Sequence, residues 1–215
     1  EQEEMTPLSN RSGEAKVSTP EDLASALRDS TKDTVKLTAD IDISDALTVN
    51  RAVTLDLNGF VLRMTSNDSV IKVGQGGELT IADSNKNKAH KFAQNTNGLW
   101  ELVSDDSTTS KTVKGGIITG GKAQNGGGVY VAPGGKLHMT GGSIVGCQAG
   151  HGGGVYLDNN DQTGEPSKFT MTSSRIIGCT ASGHGGGVAV NPKCTFTMDN
   201  DSEIRSCTAR LGGGV

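Results

Sequence analysis

The sequence predicts an all-β fold, a parallel β-helix in which short strands wind into a solenoid, coil upon coil. Three observations point there. One phrase recurs down the second half of the chain, apolar and polar residues alternate within each phrase, and glycine, at 31 of 215 positions, recurs in step with them. Hydrophobic residues are 33% of the chain and aromatic residues 3%. That is too few for a core built on large side chains, so burial has to come from stacking like residues on like.

The phrase opens at Gly115-Gly116-Ile117-Ile118-Thr119, passes through Gly126-Gly127-Gly128-Val129-Tyr130-Val131 and closes at Lys136-Leu137-His138-Met139-Thr140. It returns as Gly141 to Ala149, Gly152-Gly153-Gly154-Val155-Tyr156-Leu157 and Lys168-Phe169-Thr170-Met171. A third pass holds Ile176-Ile177-Gly178-Cys179, Gly185-Gly186-Gly187-Val188-Ala189-Val190 and Thr195-Phe196-Thr197-Met198, and a fourth starts at Ile204. Each pass has three alternating runs between glycine corners, hence three strands per coil. Two-residue periodicity turns Val129, Val131, Leu137 and Met139 inward and Tyr130 and His138 outward. Ile118, Ile144, Ile176 and Ile204 form one interior ladder, with strands stacked about 4.8 Å apart.

The first half repeats the idea in tighter coils, in Val35-Lys36-Leu37, Val53-Thr54-Leu55 and Ile71-Lys72-Val73. Before them, Thr19-Pro20-Glu21-Asp22-Leu23 has an N-cap residue, a proline at the first helical position and an acidic first turn, so it predicts a short helix that caps the first coil. Residues 1–17 are then a flexible N-terminal segment and 18–215 a single β-helix domain. Within it lie the capping helix at about 19–29, tight coils at 34–82, a polar excursion at 83–112 and Gly-rich repeats at 113–215. Gly214-Val215 stops mid-phrase, so the last coil is expected to be uncapped, available for end-to-end association, and the front part of a longer solenoid.

A net charge of −4 with both signs dispersed excludes the basic stripe of a nucleic-acid binder. No run of eighteen apolar residues is present, which excludes insertion of a membrane-spanning helix. With these features in view, the chain resembles the pectate-lyase-like right-handed β-helix domains of secreted and surface proteins of gut-type bacteria. The carriers are Thr34 to Ile41, the phrase Val53-Thr54-Leu55-Asp56-Leu57-Asn58-Gly59 and the Gly-Gly-Gly-Val-Tyr repeats. The resemblance implies right-handed winding and a secreted or cell-surface setting. Some such domains are adhesins and others polysaccharide lyases or hydrolases, and fold does not choose between them.

A lyase of that kind would need an acidic cluster holding calcium beside an Arg or Lys base. No such constellation is legible, and no catalytic residue is assigned. Asp56 and Asp83 read as exposed turn or strand-end residues. The candidate binding residues are Tyr130 and Tyr156, an outward aromatic ladder able to hold a sugar ring; His138, outward on another face; and Trp100, the single tryptophan, in the excursion. His151 and His184 precede successive Gly triplets and could share a metal ion, although two ligands make no structural zinc site. Asp158 and Asp161 in the insertion at 158–166 could help wrap a calcium ion, but they lack the loop signature of a known site and read as a solvated insertion, so no cofactor is expected. Cys147, Cys179 and Cys207 occupy equivalent positions and should stack as free thiols, because parallel Cβ vectors suit a disulfide poorly.

A regular core without an active-site constellation points to a non-catalytic extracellular module that engages a host surface or polysaccharide. The alternatives are a fragment of a polysaccharide lyase or glycoside hydrolase, or a phage tail fibre or spike, which requires trimerisation.

Overall fold

The computed structural model describes residues 13–104, 109–159 and 165–215. Three parallel sheets run the length of a β-helix. The long sheet stacks seven strands: Gly13–Val17, Lys32–Leu37, Ala52–Asp56, Glu78–Ala82, Lys136–Met139, Lys168–Met171 and Thr195–Met198. The isoleucine sheet stacks six, from Ile41–Ile43 to Glu203–Arg205. The tyrosine sheet stacks five: Leu47–Val49, Ile71–Val73, Val129–Val131, Val155–Leu157 and Val188–Val190.

Alternation does what the sequence suggests. Val129 and Val131 are buried on either side of a half-exposed Tyr130, and Leu137 and Met139 on either side of His138. The interior ladder is in register from Ile41 through Leu62, Ile118, Ile144 and Ile176 to Ile204. Stacked rungs replace a globular core, and Phe169 lies over Phe196 with ring centroids 5.0 Å apart. At the N-terminal end the helix Pro20–Arg28 covers the first coil with Leu23, Ala26 and Leu27, and the Thr19 hydroxyl accepts the Asp22 N–H at its start.

The structure corrects the expected organisation in three places. Residues 13–17, expected to be flexible, form the strand Gly13–Val17, paired in parallel with Lys32–Leu37; Val17 is buried against the core. The Gly-rich coils carry a fourth short strand besides the expected three. These strands, Lys122–Asn125, Gln148–His151, Thr180–His184 and Thr208–Leu211, form a corner sheet of their own. Each ends at a Gly triplet whose first glycine has positive φ, between +61° and +64° at Gly126, Gly152, Gly185 and Gly212. The second glycine is demanded by space: a Cβ on Gly153 would lie 2.5 Å from the carbonyl oxygen of Gly186 one coil on. Adding the extra strand thus depends on a corner that no side chain could enter.

The third correction concerns the excursion. Ala89–Gln94, Trp100–Val103 and Lys111–Lys114 form an antiparallel three-stranded sheet. Phe92, Trp100 and Val113 pack with Val61, Ile117, Val145 and Ile177 in a second apolar cluster. These last four lie on the outer face of the isoleucine sheet, which is therefore buried on both sides. The insertion leaves the solenoid after Ala82 and returns at Ile117, whose strand pairs directly with Val61–Met64.

Two carboxylates fasten its root. Asp83 is 6% exposed and accepts hydrogen bonds from the N–H of Gly59 at 2.7 Å and of Gly116 at 2.8 Å. Asp56, 8% exposed, accepts from the N–H of Asn58 and of Ser84 and pairs with Lys36 at 3.2 Å. Both were expected at exposed strand ends. Folding buries them because the turn that starts the insertion leaves backbone N–H groups that no strand can satisfy.

Candidate functional site

The outer row of the tyrosine sheet reads Thr48, Lys72, Tyr130, Tyr156, Ala189 from coil to coil. Because parallel pairing puts identical positions on successive rungs, the two tyrosines stack, centroids 5.9 Å apart and planes within 10°. Their hydroxyls are held from the side. Tyr130 donates to Asp158, Asn191 Nδ2 donates to the Tyr156 oxygen at 2.8 Å, and the same amide reaches Asp158 at 3.3 Å. Burial first, and then the Asp158 carboxylate beside it, push the Tyr130 phenol above its ordinary ionisation range. Tyr156 accepts its hydrogen bond and so keeps its own proton for another acceptor.

Across the Gly triplet, the corner sheet carries its own stack. His151 and His184 lie on successive rungs between Asn125 and Leu211. Their rings are 5.1 Å apart with planes at 17°, and the His184 backbone N–H points to His151 Nδ1 at 3.3 Å. The histidine stack and Tyr156 frame a groove of about 510 Å³ at the C-terminal end of the described coils, lined also by Ala189 and Asn191 among others. Sequence reasoning weighed the histidines and the tyrosines separately. Their common spacing to the Gly triplet, His151 to Tyr156 and His184 to Ala189, was the signal that one corner brings them together. Asn191 was missed, since its position after the strand shows no pattern in a single sequence.

The other candidates lie elsewhere. His138 sits on the long sheet, with Nδ1 against the Thr170 hydroxyl and Nε2 3.5 Å from Glu78, which also pairs with Lys136. Trp100 is not a surface platform. It is 8% exposed, with its ring against the glycine backbone at Gly178, because the insertion strand that carries it covers the isoleucine sheet.

Asp158 is engaged by Tyr130 and Asn191, and Asp161 lies outside the described residues. Among the described residues no group of three or more His, Cys, Asp or Glu side chains is placed to hold a metal ion. Nor is any helix long and apolar enough to cross a membrane. Cys147, Cys179 and Cys207 follow the isoleucine ladder as free thiols on successive coils. Burial pushes the Cys179 thiol up, whereas Cys207 on the last rung is lowered, chiefly by the hydrogen bond from Cys179.

No curated protein and no solved structure matches the chain. One family model does, described as "Putative pectate lyase-like adhesive domain", over residues 14–132. The match takes in the N-terminal strand, the capping helix, the three-strand coils, the insertion and the first Gly-rich coil as far as Ala132, with Tyr130. More than half of the sequence is covered, and the chain belongs to this family of pectate lyase-like adhesive domains.

Proposed function

We propose that the chain is an extracellular adhesion module of a bacterial surface or secreted protein, and that it binds carbohydrate on the outer face of the tyrosine sheet without turning it over. The stacked pair Tyr130 and Tyr156 carries this reading. Aromatic rings held rigid by rung stacking and by hydroxyl hydrogen bonds offer contact area at little entropic cost. The acidic residues nearest the strands support binding over catalysis. Asp56 and Asp83 spend their oxygens on backbone N–H groups, and Asp158 spends its own on Tyr130 and Asn191.

The reading is tested by binding of the chain to immobilised glycans, with Tyr156→Ala as the deciding variant. A loss of about tenfold or more corresponds to about 1.4 kcal/mol, the order expected for a removed aromatic contact. Unchanged binding by the variant removes the ladder from the site. Calcium-dependent release of unsaturated sugars from acidic polysaccharide would replace adhesion by lyase chemistry.

A further inference from the structure

The tyrosine ladder is interrupted at Ala189. Parallel pairing sets Ala189 beside Tyr156 in the same register in which Tyr156 lies beside Tyr130. An alanine there leaves out one aromatic ring. One face of Tyr156 is covered by Tyr130, and the other looks along the solenoid axis over Ala189, where the groove opens. Adjacent rungs are about 4.8 Å apart, the room one ring takes when it packs face to face on another.

We propose that this missing rung is a slot for a single neutral pyranose ring, which stacks its C–H face on Tyr156 above Ala189 and continues the ladder. The inference rests on the carbohydrate-binding reading above and adds where the sugar sits and which class it is.

Three features of the slot fit that occupant. Its floor is apolar: Ala189 is 7% exposed and is flanked by Val188. Its rim is polar but already organised, with Asn191 holding the Tyr156 oxygen so that the phenolic proton is left to donate to a sugar hydroxyl. On the opposite side His184 supplies an exposed imidazole. Charge argues for a neutral sugar. No Lys or Arg is among the described residues that line the groove, and the Asp158 carboxylate bonded to Tyr130 and Asn191 lies at its edge, so a uronate would meet a like charge there.

The experiment fills the slot from the protein's side. Ala189→Tyr adds the missing ring at an outward position that already takes tyrosine on the two preceding coils, and Ala189→Leu fills it without an aromatic ring. Albumin conjugates bearing glucose, galactose, N-acetylglucosamine or galacturonate are the probes, read by biolayer interferometry on the 215-residue chain, with thermal unfolding of each variant alongside.

A neutral conjugate should bind the parent, and both Ala189 variants should bind it about tenfold or more weaker while melting no lower than the parent. If Ala189→Tyr binds as the parent does while Tyr156→Ala loses binding, the slot is wrong and the ladder stands. If no conjugate binds, or no variant changes binding, slot and ladder fall together. Preference for the galacturonate conjugate overturns the neutral class.

Discussion

Tyr130 and Asp158 stand on successive coils and hold each other: the phenol donates to the carboxylate, while the Asp158 backbone N–H donates to the Val131 carbonyl at 2.9 Å. The pair pins the start of the insertion after Leu157 to the coil beneath and fixes the orientation of the first ring of the ladder. It also makes one of the two phenols of the chain unusual.

Phenolate absorbance should show this directly. Tyr130 should titrate above the ordinary value of about 10, and Asp158→Ala should bring it back toward that value by removing the carboxylate that disfavours a second negative charge. Because the folded value is raised, the stability contributed by this contact is fully present below the unfolded value. It is lost as pH rises through the folded one. A Tyr130 phenol that titrates at the ordinary value in the parent would contradict the assignment.

The root of the insertion should respond to acid in the opposite sense. Burial opposes ionisation of Asp56, but hydrogen bonds from Ser84 and Asn58 and the Lys36 ammonium outweigh it, so its folded value is lowered. Its stabilisation is present above the unfolded value of about 3.9 and lost as pH falls through the folded value. Asp83→Ala leaves the N–H groups of Gly59 and Gly116 without their acceptor and should cost about 2–4 kcal/mol in chemical denaturation at neutral pH. A cost within about 0.5 kcal/mol, the range of surface substitutions, would show that the carboxylate is not holding the insertion.

Much of the solenoid was legible because its determinants are local and periodic. A rung is written in two or three residues, and the same residues recur where the next rung lies, so the Ile118 to Ile204 ladder and the facing of Tyr130 could be read directly. The insertion was not legible as structure, because its strands pair antiparallel with one another, outside the repeat, and alternate weakly. A signal was nonetheless present. Ile117-Ile118, Ile144-Val145 and Ile176-Ile177 put two apolar residues side by side in strands of period two, so one of each pair must face outward and needs a cover. The burial of Asp83 left no comparable trace, since an aspartate after a strand looks the same whether solvent or a backbone turn receives it.

The cysteine ladder should divide by position. Native-state alkylation followed by mass spectrometry should modify Cys207 faster than Cys147 and Cys179. Cys207 is partly exposed and its thiolate is favoured by Cys179 and Arg205, whereas the other two are fully buried. Cys147 and Cys179 should react only after unfolding. Equal labelling of all three in the native protein would mean that the rungs open readily.

Trp100 gives the insertion its own reporter, since it is the one tryptophan of the chain. Its place depends on a glycine: Gly178 has φ +61°, and a Cβ there would lie 2.4 Å from the indole Cδ1. Gly178→Ala should therefore lift the indole off the isoleucine sheet and shift its emission to the red, leaving the rung pairing of Ile176 with Ile144 and Ile204 in place. Trp100→Ala opens a cavity over Val145 and Ile177 and should cost about 3–5 kcal/mol. Trp100→Phe should be far milder. It keeps an aromatic ring in the cluster and removes an indole N–H that is buried without an acceptor among the described residues. If Phe costs as much as Ala, the indole N–H is engaged after all, and the insertion is held by a hydrogen bond as well as by packing.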